Sequence, residues 1–411
     1  MTDHAMRITV VENDGAGGMI HYAYQMCSAL AAEGADVTLV TSQHYELGTL
    51  EHSFEVDARL KLWRNIEPTR TPGTGAAARA LAAIGKLVRR AWRGVRFFIE
   101  WNRLTRRLIE QRPDIVQFAT IRFPFQALFL RRMQRAGLTL TQVCHEWQFR
   151  EARLPILRSL NDRLARHVYP PFSAIFLHGE ANLEAFSAMY PGVERSRLHA
   201  ILHGDESMLV AAADGGGDSR SRYGLPPDRP VAVFFGGLRP SKGVDDLIEA
   251  FALARPQVEA SLVVAGYASG VDPDAYRASA GRLGIGPDVV IDARYLPLGE
   301  VAPLLRIATV VVLPYRSATA SGVLQASYAA GRPVIVTDVG GLPEAVVDGS
   351  TGFVVPVSDP DALATALIKM LSDPAEAAEM GMAALAYAHE HYSWQPIAGE
   401  ILAVSREVSQ R

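Results

Sequence analysis

The chain has little cysteine, and Cys27 and Cys144 are its only two. Two thiols provide neither a disulfide framework nor a cysteine-based metal site. Both lie in or after apolar runs, which predicts buried, inert thiols. No apolar run approaches the roughly 18 residues needed to cross a bilayer. The N-terminus lacks a basic-then-apolar signal region, and after "MTDHA" it enters the strand-like "MRITVVEN". A cytoplasmic location is the expectation. No period of 20–50 residues recurs, so a solenoid is excluded. Net charge is −3 and no recognition module appears, so nucleic acid is not an expected partner.

What is present describes a globular protein of two parts. Hydrophobic residues make up 49% and charged residues 21% of 411 positions. That length exceeds what one hydrophobic core normally fills. Charge is unevenly divided. Residues 1–204 hold 26 Lys and Arg against 19 Asp and Glu, and residues 205–411 hold 15 against 25. A basic half and an acidic half point to two units with different partners.

Strand and helix patterns alternate throughout, which predicts an α/β fold with parallel sheets flanked by helices. In the first half strands are expected over 7–13, 36–41, 114–119, 139–145, 174–177 and 198–202. In the second half they are expected over 231–236, 260–265, 289–293, 310–313, 334–337 and 352–355. The boundary falls in "DESMLVAAADGGGDSRSRYGLPPDRP", whose Gly215-Gly216-Gly217 run and prolines suit a connector. Two doubly wound, Rossmann-like domains facing one another would form a deep interdomain cleft. Ligands in such sheets bind beyond the carboxyl ends of the strands, so function should reside in the turns that follow them.

Four such turns carry candidate chemistry. The first, "VVENDGAGGMIHYAYQ", places Gly15, Gly17 and Gly18 between a strand and a helix. It fails as a dinucleotide fingerprint. Ile20 stands where the third glycine belongs, and the second strand ends in Thr41-Ser42 instead of an acid. The glycines still permit close approach of backbone to a ligand. The second, "LTQVCHEWQF", ends a strand at His145 and Glu146, where an imidazole could donate to a sugar hydroxyl or a developing charge. A purely structural histidine is the alternative. In the third, "VAVFFGGLRPSKGVDDL", Arg239 and Lys242 follow Gly236-Gly237. A planar fork and a point charge beside a glycine turn could clamp a diphosphate. In the fourth, "SATASGVLQAS", Ser321 or Thr319 can cap a helix whose first N–H groups, from Gly322 to Leu324, point outward. That loop carries almost no charge, so it would contribute backbone dipoles alone.

A further feature is "KLVRRAWRGVRFFIEWNRLTRR", residues 86–107. Lys86, Arg89, Arg90, Arg93, Arg96 and Arg103 recur at helical spacing, with Val88, Ala91, Trp92, Val95, Phe98 and Ile99 opposite them. Two readings stay open: a core helix with a solvated basic face, or a helix lying on an anionic membrane. The second would make the protein peripheral at the inner membrane face.

These four turns, in this order, resemble the retaining glycosyltransferases of the GT-B fold, family 4 (group 1). The likeness covers essentially the whole chain and is strongest over 231–357. "FFGGLRPSKG" is similar to that family's glycine–Arg–Lys–Gly loop, and "LPYRSATASGVLQASYAAGRPVIVTDVGGLPEAVVDGSTGFVVP" to its most diagnostic block. The resemblance implies an acceptor-binding domain over 1–205 and a donor domain over 206–390. It also implies a last helix, over 391–411, crossing back to the first domain. It implies transfer from a UDP- or GDP-sugar to a sugar or lipid-linked acceptor, with retention and no obligatory cofactor or metal. Envelope or exopolysaccharide synthesis would be the setting. By that likeness Arg239 and Lys242 hold the diphosphate with the amides of Ser321, Gly322 and Val323. Gly17 and Gly18 line the phosphates, and His145 contacts the donor sugar. Gly236, Arg294, Tyr295, Leu296 and Gln325 lie near the nucleoside.

Two departures from the family pattern bear on activity. Its two glutamates, with seven residues between them around the helix start, would fall at Ala318 and Ala326, with Gln325 adjacent. Its loop arginine would fall at Gly237, whereas here Arg239 follows two residues later. A subset of the family resembles this Ser-Gly-Val variant, which favours an active transferase. A non-catalytic nucleotide-sugar-binding protein or partner subunit, and a nucleotide-sugar epimerase, remain the alternatives.

Overall fold

A computed structural model describes residues 5–63, 76–147, 164–211 and 217–411. Gly215 and Gly216 of the expected connector, and the side chain of Lys86, lie outside that description. The chain divides into two compact units. One is Met1–Ile201 with Trp394–Arg411, and the other is Leu202–Ser393.

The first unit is built on a seven-stranded parallel sheet in the order β3-β2-β1-β4-β5-β6-β7. Its strands are β1 (Arg7–Val11), β2 (Asp36–Ser42), β3 (Glu55–Leu60), β4 (Ile115–Phe118), β5 (Leu140–Cys144), β6 (Ala174–His178) and β7 (Leu198–Ile201). Helices α1 (Gly18–Ala32), α2 (Ala76–Gln111), α3 (Ala127–Arg135) and α4 (Glu180–Met189) are its main crossovers. The final helix of the chain also belongs to this unit.

The second unit carries six parallel strands in the order β10-β9-β8-β11-β12-β13. These are β8 (Val231–Phe235), β9 (Ser261–Ala265), β10 (Val289–Asp292), β11 (Val310–Leu313), β12 (Val334–Thr337) and β13 (Gly352–Val355). Its helices are α5 (Ser207–Ala211), α6 (Ser219–Arg222), α7 (Val244–Ala254), α8 (Pro273–Arg282), α9 (Leu298–Arg306), α10 (Gly322–Ala329), α11 (Pro360–Ser372) and α12 (Pro374–His391). Helix α13 (Trp394–Ser409) follows, packs on α1 and sets Trp394 edge-on against Tyr22 at 4.9 Å.

Burial on both faces explains why the central strands read as continuous apolar runs. Strands β4, β5, β6, β9, β11 and β12 are buried at every position. Strand β3 is the one strand the sequence reading omits. Its segment, "EVDARL", lies at the sheet edge, and only Leu60 is fully buried. An edge strand needs no apolar run, so hydrophobic patterning cannot reveal it. Cys27 and Cys144 are buried free thiols, and burial pushes the Cys144 thiol up to about 12.

In each sheet the strand order reverses once. The reversal lies between β1 and β4 in the first unit and between β8 and β11 in the second. Parallel sheets of this kind bind ligands at such switch points.

Candidate functional sites at the two switch points

In the second unit the loop after β8 meets the loop after β11. Strand β8 runs into Gly236, Gly237 and Leu238, and a short turn over Pro240–Lys242 leads through Gly243 into α7. Strand β11 ends in Pro314 and Tyr315, and Ser321 then caps α10 by accepting from the Leu324 N–H at 3.3 Å. The two loops are tied directly. The Arg316 N–H donates to the Ser241 carbonyl at 2.9 Å. The Arg316 guanidinium grips Asp245 at 2.6 Å and Asp246 at 2.9 Å in the first turn of α7. Those hydrogen bonds raise the guanidinium pKa well above its ordinary value. The one cation of the uncharged loop is therefore structural.

Side chains gather around Tyr315, which is buried and whose phenol is pushed up to about 12 by that burial. Its hydroxyl approaches Ser321 Oγ at 3.5 Å, and Lys242 Nζ lies 3.4 Å from its ring centroid. A Cβ placed on Gly236 would stand 3.8 Å from Val323. Gly236, Lys242, Ser321, Gly322 and Val323 are thus brought together, with Arg239 on the same loop as Lys242. Arg239 Nε is buried without a hydrogen-bond partner among the described residues. The N–H groups of Gly322 and Val323 belong to the first turn of α10, where no helical carbonyl precedes them. Gln325 is 2% exposed on the same helix, and its Oε1 has no partner among the described residues.

The expected nucleoside turn after β10 is less open. Arg294 pairs with Asp292 at 3.1 Å and with Glu300 at 2.5 Å, and the Glu300 bond leads in raising its pKa. Leu296 is a core side chain at 3% exposure, and Tyr295 between them is half-buried.

One residue near this site escaped the sequence reading. Glu206, just before α5, is 2% exposed, and its Oε1 lies 3.2 Å from where a Cβ on Gly322 would be. His203 Cε1 is 3.7 Å from the same point. Its Nδ1 sits 2.9 Å from the Gly204 carbonyl, and burial holds the imidazole pKa down at about 4. A carboxylate is therefore seated at the start of α10, brought from over a hundred residues upstream.

In the first unit the equivalent position holds a polar cluster built on "ENDG" after β1. Glu12 is fully buried, accepting from the Asp14 N–H at 2.8 Å and from Thr120 Oγ1 at 2.7 Å. Asp14 pairs with Arg122 after β4. Asn13 accepts from Trp101 Nε1 at 2.9 Å and donates to the Thr120 carbonyl at 3.2 Å. Of the expected glycines, Gly17 gives its N–H to Glu46 at 2.7 Å, and the same carboxylate oxygen meets His21 Nε2 at 2.7 Å. Gly18 opens α1 with nothing near a Cβ position. His145, just past β5, sits with Nδ1 3.2 Å from His178 Nε2 and its ring edge-on to Tyr22 at 4.4 Å. Glu146 beside it is exposed.

Glu12 makes a pH prediction. Burial pushes its carboxyl from 4.5 up to about 7, opposed by the Arg122 charge and the Thr120 hydrogen bond. Between those values the folded protein binds more protons than the unfolded one. The stabilisation is complete below 4.5 and is lost as pH rises through about 7. Glu12→Gln retains an acceptor for the Asp14 N–H and stays neutral. It should remove the slope, and the variant should gain up to about 3 kcal/mol over wild type at pH 8. Thermal melts at both ends of the window check this, and parallel losses in both proteins would refute it.

Comparison with known proteins decides the family. Residues 217–386 match the model for glycosyl transferases group 1, and residues 17–204 match the glycosyl transferase 4-like domain. The chain belongs to the group 1 glycosyl transferases. It is 35% identical over 245 residues to a D-inositol 3-phosphate glycosyltransferase of Streptomyces avermitilis, covering 58% of this chain and 50% of that protein. It is 36% identical over 218 residues to a GDP-mannose-dependent alpha-(1-6)-phosphatidylinositol monomannoside mannosyltransferase of Mycolicibacterium smegmatis. That match covers 50% of this chain and 56% of the relative. The chain spans about half the length of the curated relatives it matches. Among solved structures, sucrose-phosphate synthase of Thermosynechococcus elongatus superimposes with a TM-score of 0.70 at 19% identity, covering 98% and 99% of the two chains. HepE of Anabaena, solved with UDP and glucose, gives 0.70 at 18% identity, covering 98% and 100%. The fold of this group 1 glycosyl transferase is accordingly GT-B, with two parallel-sheet α/β domains.

Proposed function

We propose that the protein transfers a sugar from a nucleoside diphosphate sugar to a hydroxyl of a glycoconjugate or lipid-linked acceptor, retaining anomeric configuration. The observation that carries this reading is that the loop holding Arg239 and Lys242 adjoins, through Gly236 and Tyr315, the loop that opens α10 at the switch point of the second sheet. Cleavage of the donor's glycosidic bond leaves negative charge on the diphosphate. A planar guanidinium, an ammonium and backbone N–H groups fixed beforehand stabilise that charge without reorganising. Lys242 is already held over the Tyr315 ring, and the Arg316 clamp fixes the loop that carries both cations. The leaving phosphate oxygen can itself take the acceptor proton on the same face of the sugar, which is what retention requires.

Glu206 modifies the expected division of labour. A second anion beside its carboxylate would be opposed, whereas a sugar or ribose hydroxyl would donate to it. The diphosphate charge then falls mainly to Arg239 and Lys242. Gln325, with Glu206 beside it, would accept hydroxyls in a chain that has alanine at 318 and 326. The first unit, with Asp14, Arg122, Glu46 and His145, is the proposed acceptor side, and His145 the proposed contact to the transferred sugar. Names of the relatives point to inositol phosphate and phosphatidylinositol mannoside acceptors, so a phosphorylated or lipid-bearing acceptor is the class to test first.

The experiment is a thermal-shift screen with UDP-, GDP- and ADP-sugars, followed by NMR of the one that binds. Donor at a hundredfold excess over its Kd should stabilise the protein by about 2.7 kcal/mol. Slow release of free sugar with the donor's anomeric configuration supports the transferase. A new epimer of the intact donor, or binding without any turnover when acceptors are supplied, refutes it.

A further inference from the structure

The long helix α2 carries two apolar stripes on opposite sides; one is buried in the fold, and the other is largely exposed, touching it at Phe98, whose ring meets Phe129 edge-on at 4.9 Å. Phe97, Trp101, Leu104 and Leu108 are buried, with Trp101 stacked on Phe118 and hydrogen-bonded to Asn13. The stripe named from sequence, from Val88 to Ile99, is the other one, and Ile84 extends it. Ile84 is 59% exposed, Val88 61%, Trp92 65%, Val95 51%, Phe98 47% and Ile99 42%. Helix α2 is a core helix through its other face, and these residues lie outside that core. They recur every three or four positions, so they form one continuous apolar ribbon. Monomeric soluble proteins seldom leave such a ribbon uncovered.

The residues around the ribbon identify what covers it. No acidic residue occurs between Glu67 and Glu100, while Arg89, Arg90, Arg93 and Arg96 fall within eight positions. Arg89 and Arg90 are exposed, and Arg93 leans on the Trp63 ring at 5.3 Å. Arg103 keeps its side chain 62% exposed although it pairs with Glu100. An apolar protein partner would be served by the ribbon alone. At the helical repeat Arg89, Arg96 and Arg103 border one edge of the ribbon, and cations beside an apolar stripe with a tryptophan suit an interface that is apolar below and anionic at its surface. No helix among the described residues is long and apolar enough to cross a membrane, so the fit is to lying on one.

We infer that the Ile84–Ile99 face of α2 docks on an anionic lipid surface, with Val88, Trp92, Val95 and Ile99 seated in the acyl boundary and the arginines at the headgroups. The inference does not depend on the transferase reading, and it accounts for the surplus of positive charge in the first half of the chain.

The test uses the full chain with vesicles of phosphatidylcholine alone, or of equal parts phosphatidylcholine and phosphatidylglycerol. The protein should sediment with the anionic vesicles only, and tryptophan emission should shift to the blue. Of the five tryptophans only Trp92 is largely exposed. Raising salt from about 50 mM to about 500 mM should weaken binding roughly tenfold or more. The double variant Val88→Asp, Trp92→Glu alters exposed positions, so it should melt with wild type and bind anionic vesicles at least about tenfold less tightly. Absence of sedimentation at low salt would overturn the inference, as would equal binding by the double variant. Self-association abolished by the double variant, without lipid binding, would assign the ribbon to a second copy of the chain instead.

Discussion

Arg239→Ala is expected to lower kcat/KM for the donor by about 100- to 1,000-fold, a loss of roughly 3–4 kcal/mol of transition-state stabilisation. The size follows from where charge appears. On the proposed function, bond breaking would concentrate negative charge on the leaving diphosphate, and a guanidinium held in a partly buried loop would meet it with little solvent screening. Stability should change little, because Arg239 Nε makes no hydrogen bond among the described residues that the substitution could break. Arg239→Lys keeps the charge and loses the fork, so it should recover only part of the rate. Single-turnover rates with saturating donor, set beside melting temperatures, separate these effects. A variant that turns over at the wild-type rate removes Arg239 from the mechanism. Arg316 makes the contrast: it is paired with Asp245 and Asp246, and its loss should appear first as instability.

The second large effect is expected at Gly243, which closes the cationic loop and opens α7. Its φ is 62°, and a Cβ there would overlap the carbonyl oxygen of Pro314 at the end of β11. Gly243→Ala therefore meets both a left-handed backbone and a backbone atom that cannot swing aside. A cost of more than about 3 kcal/mol is expected. Relief would come only by parting the loops after β8 and β11, so nucleotide-sugar binding should fall with stability. Urea denaturation and the donor-induced thermal shift report the two losses. A variant with an unchanged midpoint would mean that the close packing of these loops is not what holds them.

Most of the sheet architecture was legible in the sequence because parallel strands are buried on both faces and announce themselves as apolar runs. The twelve expected strands recur within a residue or two at most ends, whereas polar, edge-lying β3 gave no such signal. The loops carrying Arg239, Lys242 and Ser321–Val323 were legible through glycine and charge placed directly after strands. Glu206 was not, because a lone glutamate in a connecting segment looks like any solvated acid, and only the fold brings it to Gly322. The Glu12, Asp14 and Arg122 cluster was hidden for the same reason, since its members come from the loops after two different strands, β1 and β4. Helix α2 misled in a different way. A single periodic stripe was visible, but its burial depends on which face the sheet takes, and the sheet takes the opposite face, with Phe97 and Trp101.

The carboxyl of Glu206 gives the start of α10 a counterweight of its own. A helix start is electropositive, and in many proteins it lies open to whatever anion arrives. Here a buried acidic group stands beside that terminus, and in its ionised form it would weaken the attraction for free phosphate and other small anions. On the proposed function, a ligand would have to bring hydroxyl donors for the glutamate and a diphosphate for the cationic loop together, at the spacing of one molecule. Discrimination between a nucleotide sugar and its fragments would then begin before any bond is broken.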